Sequence, residues 1–121
     1  MPRVIHFEVS AEDTERASRF YQSVFGWHIE KWDGPRDYRL VSTGGDEQPG
    51  INGGIFKRDG PVNYVNTIDV PSVDEFVKKI TEQGGQEVVP RMKIPGVGDL
   101  VYCQDTEGNV FGILEPEGEG R

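Results

Sequence analysis

Apolar and polar positions alternate along this chain in short runs, and twice the alternation gives way to a helical period. Val4 to Ser10 is a β-rich run that predicts a first strand. Apolar residues then recur at Ala17, Phe20, Tyr21, Val24 and Phe25, the 3.6-residue spacing of an amphipathic helix, with Asp13 or Thr14 placed to cap it. Gly26 follows where a helix ends on a left-handed residue. Trp27 to Trp32 alternates again and predicts a strand, with Trp27 and Trp32 on opposite faces and His28 toward solvent. Tyr38 to Ser42 forms another strand after the Gly34-Pro35 turn. A Gly- and Asp-rich loop, Thr43 to Asn52, leads into a third, Gly53 to Lys57.

The second half repeats this order. Val62 to Val70 reads as a strand, and Ser72 with Glu75 reads as a capping box. Val73, Phe76, Val77 and Ile80 make one helical face, ended by Gly84-Gly85. Strands are expected over Glu87 to Met92, Leu100 to Gln104 and Val110 to Glu115. The turns between them are Pro95-Gly96 and Asp105-Thr106-Glu107-Gly108-Asn109, and the tail from Pro116 to Arg121 is expected to fray. Adding 56 to Ala17, Phe20, Tyr21 and Val24 gives Val73, Phe76, Val77 and Ile80, and Gly26 lies 58 before Gly84. The pattern is an α+β fold of two βαβββ repeats, about 3–58 and 61–115, in a single domain over 1–121.

Composition narrows this further. At 121 residues the chain has the length of one domain, and its sixteen glycines and eight prolines favour short elements over a helical bundle. Thirteen basic against twenty-one acidic side chains give a net charge of −8, which sets the chain against nucleic acid and anionic membrane surfaces. A cationic or neutral small molecule fits that balance better. Cys103 is the only cysteine, so an internal disulfide and a thiolate metal cluster are both excluded. Its place in Leu100-Val101-Tyr102-Cys103 reads as a small core residue. No run approaches the ~18 apolar residues of a membrane span or resembles a signal peptide, so a cytoplasmic protein is expected.

The doubled βαβββ order, the helix segment Phe20-Tyr21-x-x-Val24-Phe25-Gly26-Trp27 and the Asp105 to Asn109 turn together resemble the vicinal oxygen chelate superfamily. That group contains glyoxalase I, extradiol dioxygenases, and fosfomycin- and bleomycin-resistance proteins. The resemblance covers Val4 to Glu115 and implies curved mixed sheets around a small-molecule cleft, and a homodimer. In catalytic members it also implies a divalent metal, held by one side chain from the first and one from the last strand of each half.

Position by position, the resemblance places these ligands at His6 (fifteen residues before Tyr21), within Asn52-Gly53-Gly54-Ile55, at Val65, and at Gly112. His6 is the only candidate ligand among them, and a stable transition-metal site normally takes at least three. No resident metal or other cofactor is therefore expected. Glu115 is three residues beyond Gly112 and on a regular strand faces the other way, so only a bulge would bring it inward.

The polar groups left on the expected cleft face are His6, Glu8, Asn63 and Thr67, with Val65 and Gly112 completing the pocket. His6 and Glu8 are candidate catalytic residues, since a His–carboxylate pair can act as general base toward a carbon acid or water. The loops around Gly44-Gly45-Asp46 and Gly50 to Gly54 lack any phosphate-binding pattern and read as turns, the second flooring the cleft. Two functions stay open. One is a glyoxalase-like lyase, isomerase or dioxygenase acting on a small organic molecule. The other is a non-catalytic, bleomycin-resistance-like protein that sequesters a cationic ligand.

Overall fold

A computed structural model describes residues 2–60 and 63–118. The chain divides into two compact units, residues 6–65 and residues 1–5 with 66–121. Both have the same internal order, and the α+β fold expected from the sequence is the fold observed.

The first unit is built from β1 (Val4–Ala11, of which 6–11 belong here), α1 (Thr14–Phe25), β2 (His28–Lys31), β3 (Tyr38–Ser42) and β4 (Gly53–Lys57). Its strands lie in the order β2-β3-β4-β1. β1 and β4 run parallel with Glu8 opposite Gly54, and the other pairs are antiparallel. Phe7, Ala11, Ile29, Val41 and Ile55 form the core, and Ala17, Tyr21 and Trp27 pack on it. Because side chains alternate across a strand, the neighbours of Phe7 and Ile55 that face away from this core are His6, Glu8 and Gly54.

α1 begins where Asp13 accepts a hydrogen bond from the Arg16 backbone N–H and ends at Gly26, which has φ 73°. Its packed face differs from the expected one. Thr14 and Ser18 are buried and Ala17 and Tyr21 pack on the core, whereas Phe20, Val24 and Phe25 are exposed. Two buried hydroxyls make this possible without an unsatisfied donor: Ser18 donates to the Thr14 carbonyl at 2.7 Å and Thr14 to Asp37 at 2.8 Å. Trp27 stacks on Tyr21 with ring centroids 5.2 Å apart, so it belongs to the helix side.

The second unit contains β5 (Tyr64–Asp69, of which 66–69 belong here), α2 (Val73–Glu82), β6 (Gln86–Ile94), β7 (Gly98–Gln104) and β8 (Val110–Pro116). Its strands follow the order β5-β8-β7-β6, again with a parallel pair, β5 and β8. Val70, Val73, Val101, Cys103 and Ile113 form its core, with Phe76, Val77 and Ile80 packed against them as their spacing predicts. Burial, aided by Glu87, pushes the Cys103 thiol up to about 11, which fits a core side chain and not a nucleophile.

Side chains tie the N-terminus of α2 to the sheet. The Ser72 hydroxyl accepts from the Glu75 N–H, while the Glu75 carboxylate pairs with Lys79, so the capping box is present by half. Arg91 on β6 reaches Asp74 on α2 at 2.7 Å and Asp99 on β7 at 2.6 Å, and its hydrogen bond holds the Asp99 carboxyl below its ordinary range. The Asp105 turn closes on itself, with Asp105 accepting from the backbone N–H groups of Glu107 and Asn109.

The tail expected to fray from Pro116 onward is held at its start. Pro116 ends β8, and Glu117 donates its N–H to the Val97 carbonyl and accepts from Gly96. Residues 119–121, like Val62 at the expected start of β5, lie outside the described residues. Among the described residues no helix is long and apolar enough to cross a membrane. Ser72→Ala should lower the unfolding free energy by about 1 kcal/mol, measured by urea denaturation, because it removes the hydroxyl that accepts the free Glu75 N–H in the first turn of α2.

Candidate functional site

His6 and Glu8 come together as strand alternation predicts, and a third group joins them that the sequence reading missed. The Tyr38 hydroxyl donates to Glu8 Oε2 at 2.7 Å, and its oxygen lies 3.1 Å from His6 Nε2. His6 Nε2 and Glu8 Oε2 are themselves 3.9 Å apart. Glu8 is nearly buried, whereas the His6 side chain keeps 34% of its surface exposed.

The position of Tyr38 depends on a hole. β1 sets Glu8 beside Gly54, and the Tyr38 ring lies over Gly54, so that a Cβ at this position would run into the Tyr38 hydroxyl and ring. Trp32 packs edge-on against the same ring at 6.1 Å, which places Trp32 beside the site and Trp27 under the helix. The signal for Tyr38 was present in the sequence as Gly53-Gly54 on one strand and a hydroxyl-bearing aromatic on another. Their register was not.

Burial lowers the His6 pKa below its ordinary 6.5, and the neighbouring Glu8 charge opposes this with a smaller effect. Burial thus favours the uncharged imidazole.

The remaining predicted residues are placed as follows. Val65 is completely buried, and Asn63 is exposed with its carbonyl accepting from the Ser10 N–H at 2.8 Å. In the second unit Thr67 is buried and pairs with Gly112, and Tyr102 lies opposite Gly112 on β7. A Cβ at Gly112 would find the Thr67 hydroxyl and Leu100 at 3.3 Å and the Tyr102 ring at 3.4 Å. Glu115 faces the helix side, as regular alternation requires, and accepts the Val73 N–H at 3.0 Å.

These residues do not fit a resident metal. Of the four positions the resemblance assigns, only His6 carries an imidazole or carboxylate. Val65 is buried and apolar, Gly112 has no side chain, and the space above Gly54 belongs to Tyr38. Among the described residues no group of three or more His, Cys, Asp and Glu side chains is arranged to hold an ion.

Two depressions lie elsewhere in the first unit. One, of about 160 Å³, is enclosed by the loop from Thr43 to Asn52. The other, of about 570 Å³, is an open groove between the end of β1 and α1, with Arg16, Phe20 and Arg58 among its walls. Neither contains His6 or Glu8.

The bleomycin resistance protein-like N-terminal family matches residues 3–44, the stretch that contains His6, Glu8 and Tyr38. A glyoxylase-like domain-containing protein of Didymella fabae is 27% identical over 93% of this chain and 92% of its own length. A Mycobacterium bovis protein with glyoxylase in its name is 25% identical over 89% of this chain, which spans 43% of that relative's length.

Two solved structures share the fold. A glyoxalase/bleomycin resistance protein/dioxygenase superfamily member from Vibrio splendidus has a TM-score of 0.64 at 12% identity, over 93% of this chain and 97% of its own. Methylmalonyl-CoA epimerase from Mycobacterium tuberculosis has a TM-score of 0.66 at 15% identity, over 95% of this chain and 88% of its own. The chain is thus similar in sequence to glyoxylase-like proteins and shares its fold with members of the glyoxalase/bleomycin-resistance/dioxygenase group.

Gly54→Ala should displace Tyr38 and cost about 1–3 kcal/mol in a denaturation experiment, whereas Gly112→Ala, whose methyl group asks its neighbours to move by only a few tenths of an ångström, should cost less. His6 yields a pH dependence of definite sign. Its folded pKa lies below the unfolded 6.5, so its contribution to stability is complete above 6.5 and is lost as pH falls through the lowered folded value. Acidification from about pH 7.5 to about pH 5.5 should therefore lower the denaturation midpoint of the native chain more than that of His6→Gln.

Proposed function

We propose that this protein binds a small organic molecule on the face formed by His6, Glu8 and Tyr38, without a resident metal, in the manner of a bleomycin-resistance-like binding protein. The observation that carries this reading is the Tyr38 hydroxyl, which sits above Gly54 and bridges Glu8 and His6 where a metal-binding relative would need a donor side chain. The acid excess of the chain supports a cationic or neutral ligand and no nucleic-acid or membrane partner. A cytoplasmic homodimer completes the proposal. Its support is a free, buried Cys103 and the exposed Phe20, Val24 and Phe25 on α1.

A second reading is an enzyme of lyase or isomerase type, in which His6 with Glu8 takes a proton from a carbon acid. The lowered pKa of His6 favours it, because only a neutral imidazole can accept a proton. Deuterium exchange from heavy water into the α carbon of an acyl thioester, lost in His6→Ala, would support this reading; no exchange above background would count against it.

Purified protein should contain well below one equivalent of nickel, zinc, iron or manganese per chain by elemental analysis. Chelator should leave its melting temperature unchanged, since an ion that is not bound cannot stabilise the native state. A stoichiometric metal lost on His6→Ala would overturn the metal-free proposal. Light scattering at micromolar concentration should give twice the mass of one chain.

A further inference from the structure

The Tyr38 hydroxyl carries one proton, and the geometry directs it to Glu8 Oε2 at 2.7 Å. Toward His6 Nε2, 3.1 Å away, the same oxygen can then offer only a lone pair, so Nε2 must be the donor. A neutral imidazole has one N–H, and with Nε2 protonated the other ring nitrogen is an acceptor. The His6 side chain keeps 34% of its surface exposed.

We infer that Tyr38 acts as a positioning residue that fixes His6 in its Nε2–H tautomer, so that the site presents an acceptor nitrogen beside a carboxylate and selects ligands that donate hydrogen bonds, amidines and related cations foremost. This rests on the binding reading above and names its ligand class. The space above Gly54 is what allows the arrangement. With a side chain at position 54 the hydroxyl could not reach both partners, and the tautomer would no longer be set.

The choice between donor and acceptor ligands follows from this arrangement. A flat amidinium can donate to Nδ1 and lie near the Glu8 charge. A carboxylate of the same shape has only lone pairs to set against the lone pair of Nδ1 and is repelled by Glu8. One charge-assisted hydrogen bond separates the two, which corresponds to about a tenfold difference in affinity.

The test is nitrogen NMR on the full chain labelled at histidine, with benzamidine and benzoate as isosteric probes. In the native protein His6 Nε2 should appear protonated and Nδ1 pyridine-like. Tyr38→Phe keeps the ring but removes the hydroxyl, and should move both resonances toward the averaged values of mixed tautomers. Benzamidine should shift Nδ1 and bind about tenfold tighter than benzoate, with that preference reduced in Tyr38→Phe.

A protonated Nδ1 in the native protein, or a tautomer unchanged in a folded Tyr38→Phe, would overturn the inference. Benzoate shifting His6 more strongly than benzamidine would overturn the ligand class while leaving an organic binding site on this face. No response of His6 to either probe at millimolar concentration would overturn both the ligand class and the binding face. Folding of Tyr38→Phe is checked by the resonance of the exposed His28, which lies outside the cluster and should not move.

Discussion

The candidate site exists because β1 is paired to β4 in a particular register. Parallel pairing sets Glu8 beside Gly54, and antiparallel pairing of β3 with β4 brings Tyr38 to the same strand from the other side. A one-residue slip in either pair would turn every side chain over, sending Phe7 and Ile55 into solvent and His6 and Glu8 into the core. The apolar set Phe7, Ala11, Ile29, Val41 and Ile55 therefore fixes the site indirectly: burying one face of the strands determines what the other face must show. The Tyr38 hydroxyl helps to hold Glu8 nearly buried, since a desolvated carboxylate without a donor is strongly unfavourable.

The second unit has the same topology and a different chemistry. Thr67 stands where Glu8 stands in the first, Gly112 where Gly54 stands, and an aromatic hydroxyl residue, Tyr102, again lies beside the glycine. Tyr102 is directly opposite its glycine, whereas Tyr38 reaches across from a neighbouring pair on the strand. No imidazole joins the second arrangement, because the position corresponding to His6 in the first is Val65, which is fully buried. The carboxylate nearest in sequence, Glu115, faces the helix and accepts the first free N–H of α2, where the positive end of the helix favours a negative charge. A doubled fold has thus kept its backbone plan in both halves and placed its polar cluster in one.

Much of the fold was legible from pattern alone, and the failures are instructive. The faces of β1 and β8 followed from alternation, so the neighbourhood of His6 and Glu8 and the outward turn of Glu115 were both expected. The packed face of α2 followed from Val73, Phe76, Val77 and Ile80. In α1 the same reasoning put Phe20, Val24 and Phe25 on the apolar face with Ala17 and Tyr21, and those three are exposed. Periodicity identifies an apolar stripe but not how far the helix is rotated on its sheet. Here the rotation follows from Thr14 and Ser18, whose hydroxyls find partners in Asp37 and in the helix backbone and so can be buried in place of larger apolar groups.

What the sequence by itself determined is local: the periods of strands and helices, a cap at Asp13 or Thr14 and another at Ser72, the left-handed stop at Gly26, and the absence of donors at Val65 and Gly112. These depend on residues within a few positions of one another, and their chemistry is independent of the rest of the chain. Tertiary structure alone decided that Tyr38 lies over Gly54 and joins Glu8 to His6. That contact spans thirty residues between Glu8 and Tyr38, and it depends on two strand registers together with the space left by a missing side chain. A vacancy of this kind is not a property of any residue in the sequence. It appears only when packing brings another side chain close enough to fill it.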